Sequence, residues 1–161
     1  MNKTIKILIL GACIIVVLLL ALIFLPAKTV AKTVCFKEPT LSEKGESKGC
    51  FDVEVVSTPK DMERGLMFRN HLDKDKGMFF VFEKEGNYPF WMKNTLIPLD
   101  IIWINQNQEI VFIKENAQPC RQADCPLINP NQKAKYVLEI NGGIAKETNL
   151  KMGDRVEISN F

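Results

Sequence analysis

Short runs of alternating apolar and polar residues, each closed by turn-forming residues, constrain this chain to a β fold. Phe51, Val53 and Val55 alternate with Asp52 and Glu54, the period of a half-buried strand. Residues 77–82 (GMFFVF) are aromatic and β-branched, and residues 83–87 read as a turn. Residues 88–93 and 99–104 read as two more strands, separated by Asn94, Thr95 and Pro98. Residues 105–108 have the composition of a tight hairpin connection, with residues 109–114 returning. Residues 135–140 alternate again, and residues 155–159 form a last strand entered through Gly153 and Asp154. Strands this short and this frequent predict an all-β domain, either a compact sandwich or a partly closed, jelly-roll-like barrel.

One or two short helices complete the expectation. Thr58 suits an N-cap, Pro59 the first helical position and Asp61 the third, so the spacing predicts a helix over residues 59–64, stopped by Gly65. Residues 144–150 can form one or two helical turns after Asn141-Gly142-Gly143.

The amino terminus follows different rules. Residues 7–25 carry no charge, and at ~1.5 Å per residue a helix there nearly spans the ~30 Å of a hydrocarbon core. Lys3 and Lys6 precede the run and Pro26 ends it. An h-region of a cleaved signal would be shorter, ~7–15 residues, and Thr29-Val30-Ala31 is a poor cleavage site. Residues 1–27 are therefore expected to be an uncleaved transmembrane anchor, with a cleaved signal and a secreted product as the alternative. Cys13 follows Leu10-Gly11-Ala12 as in a loose lipobox, but most of the apolar run lies after it, so a buried membrane cysteine is the simpler reading. The basic start places the remaining chain outside the cytoplasm.

The chain holds 21 Lys+Arg and 19 Asp+Glu, and Lys3 and Lys6 supply the whole excess. The remainder is neutral, which excludes a polybasic nucleic-acid binder and a disordered polyelectrolyte. It is also too short for a two-domain enzyme. Residues 28–50, with Pro39, Gly45 and Gly49, read as a polar linker holding one short strand near residues 33–36. The β domain is expected over residues 51–161.

Four cysteines lie beyond the apolar run: Cys35, Cys50, Cys120 and Cys125. An even count in an exported domain points to disulfides, and three connectivities exist. Cys35–Cys50 and Cys120–Cys125 are the simplest pairs. A zinc site is the weaker alternative, because the Cys120-x4-Cys125 spacing is long and His71 is the sole histidine.

Six patterns in one order carry a resemblance. They are RGLM from Arg64, GMFFVF from Gly77, FWMKNT from Phe90, PLDIIWI from Pro98, YVLEINGG from Tyr136 and GDRVEI from Gly153. Together they resemble the family known as domain of unknown function 192, over residues 51–158. The resemblance implies a compact all-β domain, usually exported or membrane-tethered, and implies no reaction. The loop of residues 118–130 with its two cysteines is not part of the resemblance.

The FWMKNT…PLD block is the most unusual chemistry. Trp91, Lys93, Asn94, Thr95 and Asp100 set a large ring beside a cation, an amide, a hydroxyl and a carboxylate. Such a group suits a polar, sugar-like ligand: the indole covers an apolar face while Asn and Asp read hydroxyls. A purely structural role for the same residues is the competing explanation. Alternation puts Phe90 and Met92 on one face and Trp91 and Lys93 on the other. Arg64 is expected to anchor Asp100, or to clamp an anionic ligand.

Met62, Met67, Met78 and Met92 could offer thioethers to Cu(I), but their spacing suits packing on the nearby aromatic rings. No hydrolase or phosphate-loop motif is present, and Asp100 with Glu139 is the one conceivable carboxylate pair. The sequence reading is a membrane-tethered, extracytoplasmic, non-catalytic binding module of the cell envelope, with no cofactor. Its partners are the membrane, through the anchor, and an envelope polymer or small ligand, not nucleic acid. A structural or accessory partner of membrane proteins is the alternative, ahead of an enzyme or a copper site.

Overall fold

A computed structural model describes residues 32–39 and 46–160. The expected anchor over residues 1–27 and Cys13 lie outside the described residues. Among the described residues no helix is long and apolar enough to cross a membrane.

Seven strands form one sheet: β1 (Thr33–Lys37), β2 (Ser47–Val56), β3 (Lys76–Gly86), β4 (Leu99–Ile104), β5 (Ile110–Ala117), β6 (Ala134–Asn141) and β7 (Arg155–Ser159). Their spatial order is β5-β4-β6-β3-β2-β1-β7. All neighbours are antiparallel except β2 and β3. That parallel pair needs a crossover, and helix α1 (Pro59–Arg64) lies within it. A second helix, α2 (Ile144–Glu147), follows β6.

The sheet curls until its two ends meet. Ile110 donates to the Asp154 carbonyl at 3.0 Å, and Val156 donates to the Gln108 carbonyl at 2.8 Å. The result is a curled half-barrel, so the barrel form of the all-β expectation holds and the two-sheet sandwich does not. The sheet also starts before Phe51. β1 is the short strand expected near residues 33–36, and it pairs with both β2 and β7. Lys48, in β2, reaches Asp154 at 2.8 Å and the Asn149 carbonyl at 3.0 Å, tying the expected linker into the fold.

Both faces of the central strands are buried, which explains why β4 is apolar throughout. The inner face carries Phe36, Phe79, Ile102, Ile104, Leu138 and Ile140, closed by Ile144 and Leu150. The outer face carries Met78, Phe80, Ile101, Trp103 and Val137, covered by Leu66, Met92 and Phe90. Met78 and Met92 thus pack among rings.

Local signals account for most boundaries. Thr58 Oγ1 accepts from the Asp61 N–H at 3.2 Å, and Gly65 ends α1 at φ 46°. Asn105 Oδ1 accepts from the N–H groups of Asn107 and Glu109, closing the β4–β5 hairpin. Two expectations are corrected. β3 runs on to Gly86, through the residues read as a turn. Residues 88–93 are extended but form no regular strand: Phe90 pairs with Ile128 and Lys93 with Cys120 as isolated bridges. Pro89 lacks an N–H and Asn94 sits at φ 55°, so a ladder cannot propagate in either direction.

The four cysteines pair as Cys35–Cys50 and Cys120–Cys125, with Cα separations of 4.1 and 5.9 Å. Non-reducing mass spectrometry of the purified chain should find two hydrogens lost for each pair. Free thiols at these four positions would contradict the pairing.

Candidate functional site

The outer face of the sheet is where the polar residues of the FWMKNT block gather. The segment that carries them is held from both sides. The Asn94 N–H donates to the Cys120 carbonyl at 3.0 Å, and the Cys120 N–H donates to the Met92 carbonyl at 3.1 Å. The Phe68 N–H donates to the Asn94 carbonyl at 2.9 Å, so the chain just after α1 is stitched to the same segment. The Cys120–Cys125 disulfide therefore steadies the backbone of the block from the far side.

Alternation holds here even without a ladder. Phe90 and Met92 turn inward; Phe90 meets Phe80 and Trp103 edge to face at centroid distances of 4.9 and 5.5 Å. Trp91 and Lys93 turn outward together, with the ammonium 5.0 Å from the indole centroid. The two tryptophans have different roles. Trp103 is fully buried and donates to the Tyr88 carbonyl at 2.8 Å, whereas Trp91 stays half-buried at the surface.

Trp91, Lys93 and Asn94 share a basin of about 260 Å³ with Lys60, Glu63, Arg64 and Met67. Lys60 and Arg64 are four residues apart, one turn of α1, so the helix presents both to one side. Three cations thus face one acid. Lys60, Arg64 and Lys93 form no salt bridge among the described residues. The Asn94 amide points at Met67 Sδ, 4.0 Å away.

Behind the basin lies a chamber of about 30 Å³, room for roughly one or two water-sized groups. Arg64, Trp91, Lys93, Thr95 and Glu139 line it, with Phe80 and Phe90 as apolar walls. Glu139 stands in β6 opposite Met78 of β3 and Ile101 of β4. It is 5 % exposed, and its Oε2 is buried with no hydrogen-bond partner among the described residues. Burial in these apolar surroundings pushes its carboxyl up to about 8. Gly65 borders the acid in the left-handed region at φ 46°, a backbone conformation that favours glycine. Among the described residues, the buried Thr95 hydroxyl has only a long 3.5 Å contact, to the Lys93 carbonyl.

Asp100 is not part of this site. It pairs in register with Ile140, one residue from Glu139, and so faces the opposite side of the sheet. There it accepts from the N–H groups of Asn116 (2.7 Å), Gly143 (3.0 Å) and Ala145 (2.6 Å). The expected Arg64–Asp100 bond does not exist, because the sheet separates the two. The same separation removes Asp100 and Glu139 as a catalytic carboxylate pair. Of the expected site residues, Arg64, Trp91, Lys93, Asn94 and Thr95 converge, while Asp100 holds the fold.

Lys60, Glu63, Met67 and Glu139 complete the site; the sequence reading considers Met67 only as a copper thioether and Glu139 only as a partner of Asp100, and gives Lys60 and Glu63 no role. Glu139 did carry a signal. It is the one acid in YVLEI, at a position whose alternate neighbour Val137 is also buried. A lone acid on a doubly buried strand needs a partner or a purpose.

Comparisons agree with this architecture. The family model DUF192, described as an uncharacterized ACR, matches residues 40–158. A candidate transcription regulator of Sinorhizobium meliloti 1021 is 33% identical, with a TM-score of 0.71 over 81% of this chain and 95% of that one. A protein of unknown function from Novosphingobium aromaticivorans DSM 12444 is 33% identical, with a TM-score of 0.68 over 82% of this chain and 89% of that one. No curated protein matches the chain in sequence.

Proposed function

The chain belongs to the DUF192 family, and for it we propose a non-catalytic binding module of the cell envelope that takes a polar, negatively charged ligand of about sugar size. The carrying observation is the basin: Lys60, Arg64 and Lys93 face Glu63 alone, beside the half-buried Trp91 ring. Cations that form no salt bridge among the described residues are free to meet a carboxylate or phosphate, and Arg64 can do so through two parallel bonds. The indole supplies a flat apolar surface for the ring of such a ligand.

Placement outside the cytoplasm belongs to the same proposal. Two disulfides fit an oxidising compartment. The uncharged residues 7–25 behind Lys3 and Lys6 supply a tether. The regulator designation of the Sinorhizobium protein is not carried over. Among the described residues the helices have six and four residues, too short to serve as a recognition helix in a major groove.

A binding panel tests the proposal. The full chain should retain at least one anionic envelope polysaccharide or its monosaccharide unit, in preference to neutral sugars. Trp91→Ala and Arg64→Gln should each weaken that retention roughly tenfold or more while remaining folded. Retention that is absent, or equal in all three proteins, would refute the binding reading.

A further inference from the structure

We propose that the chamber behind Trp91 is the anchoring subsite of the ligand, with Glu139 and Thr95 binding a hydroxyl that the ligand inserts past the indole. The site then selects hydroxylated anions, such as sugar acids, over anions that lack hydroxyls. This inference rests on the binding reading of the basin and adds the feature that reads the ligand's chemistry.

Three observations carry it. The chamber and the basin share Arg64, Trp91 and Lys93, so they are adjoining compartments of one depression. Glu139 Oε2 is a buried polar atom without a partner, aimed into the chamber beside the weakly engaged Thr95 hydroxyl. A buried polar group left unpaired is costly, and such groups mark functional positions. Finally, about 30 Å³ is room for a small group such as a hydroxyl, while the three cations lie around the wider outer basin, where an anionic group meets them.

Charge fits this division. A carboxyl held neutral by burial can donate one hydrogen bond and accept another, as a hydroxyl requires. It also avoids repelling the ligand anion a short distance away. The charged groups facing Glu139 are Glu63 and Arg64 from the end of α1 and Lys93 from the extended segment, with Lys60 further out. From β3 and β4 only apolar side chains, Phe80, Met78 and Ile101, pack against it. Ionisation of Glu139 would place a second negative charge behind the ligand and weaken binding.

The test uses the full chain with two probes, glucuronate and cyclohexanecarboxylate, by calorimetric titration. Wild type should prefer glucuronate, and Glu139→Leu should reduce that preference by roughly tenfold or more. Glu139→Gln keeps a donor and an acceptor without an ionisable group. It should keep the preference, and glucuronate binding should no longer weaken from pH 7 to 9 as it does in wild type. Should Glu139→Leu not fold, the Glu139→Gln pH profile decides alone. An unchanged preference in Glu139→Leu, or an unchanged pH profile in Glu139→Gln, overturns the chamber's role. The basin would survive that result if Trp91→Ala and Arg64→Gln still weaken both acids. No binding of either acid by wild type also overturns the chamber, leaving the basin to be judged by the envelope panel.

Discussion

Asp100→Ala is expected to cost the fold about 3–5 kcal/mol, the sum of three hydrogen bonds lost around one buried side chain. The carboxylate is fully buried and accepts three backbone N–H groups, from the end of β5 and from the start of α2. Alanine leaves the buried Ala145 N–H without an acceptor, at about 1–3 kcal/mol, and removes the bonds to the more exposed Asn116 and Gly143, each worth about 0.5–1.5 kcal/mol. The total is a large share of the ~5–15 kcal/mol that holds a domain together. Asp100→Asn should fall between, because one carbonyl oxygen remains to accept while the new amide adds an unwanted donor. Urea melts measure the effect, read as a lower midpoint at an unchanged slope. A loss below about 1 kcal/mol would show that the three bonds do not organise this corner of the fold.

Glu139→Leu is expected to do the opposite and stabilise the protein, increasingly so as pH rises. The folded carboxyl titrates at about 8, against 4.5 for the ordinary group. Below 4.5 both folded and unfolded chains are protonated, and this acid exacts no ionisation penalty. Between 4.5 and about 8 the unfolded chain gives up the proton and the folded chain keeps it. Stability therefore falls with rising pH across that window, by at most ~1.4 kcal/mol per unit. Above it both states are ionised and the slope ends. Leucine abolishes the slope, so the gain should reach several kcal/mol by pH 8. Glu54 acts in a different range: its bond to Arg69 lowers its carboxyl, and that contribution is lost as pH falls below the ordinary value. Comparing wild type with the variant at pH 5, 6, 7 and 8 removes this background. Parallel stability curves would mean that Glu139 is not protonated by burial.

The two predictions concern neighbouring strands, and together they explain which parts of the molecule could be read from residue order. Strands with one wet face declare themselves by alternation, as Phe51, Val53 and Val55 do. Helix α1 declared itself through Thr58, Pro59, Asp61 and Gly65, each with a distinct backbone task. Residues 88–93 misled because aromatic content looks the same in an extended segment as in a strand; only the missing N–H of Pro89 and the turn at Asn94 separate them. Arg64 and Asp100 misled for a different reason. Arg64 stands on α1, and which face of the sheet the crossover carrying α1 covers is set by tertiary packing. The same packing hid Glu139 from its real companions. Its neighbours in the chamber come from α1 and from residues 90–95, across a crossover and a loop that no periodicity describes.

Strand β1 draws its two neighbours from distant parts of the chain: β2, shortly after it, and β7, the last strand. Thr33 aligns with Ser159 and Lys37 with Arg155, so the closing ladder joins residues separated by most of the sequence. That contact is the most expensive one to nucleate, because the intervening chain must be arranged before the two strands can meet. β7 follows every other described strand in the chain, so β1 keeps an open edge until residues 155–159 have been made. The half-barrel is therefore a shape that closes only once residues 155–159 are available, and the closing ladder is a late event of folding because of where β1 sits.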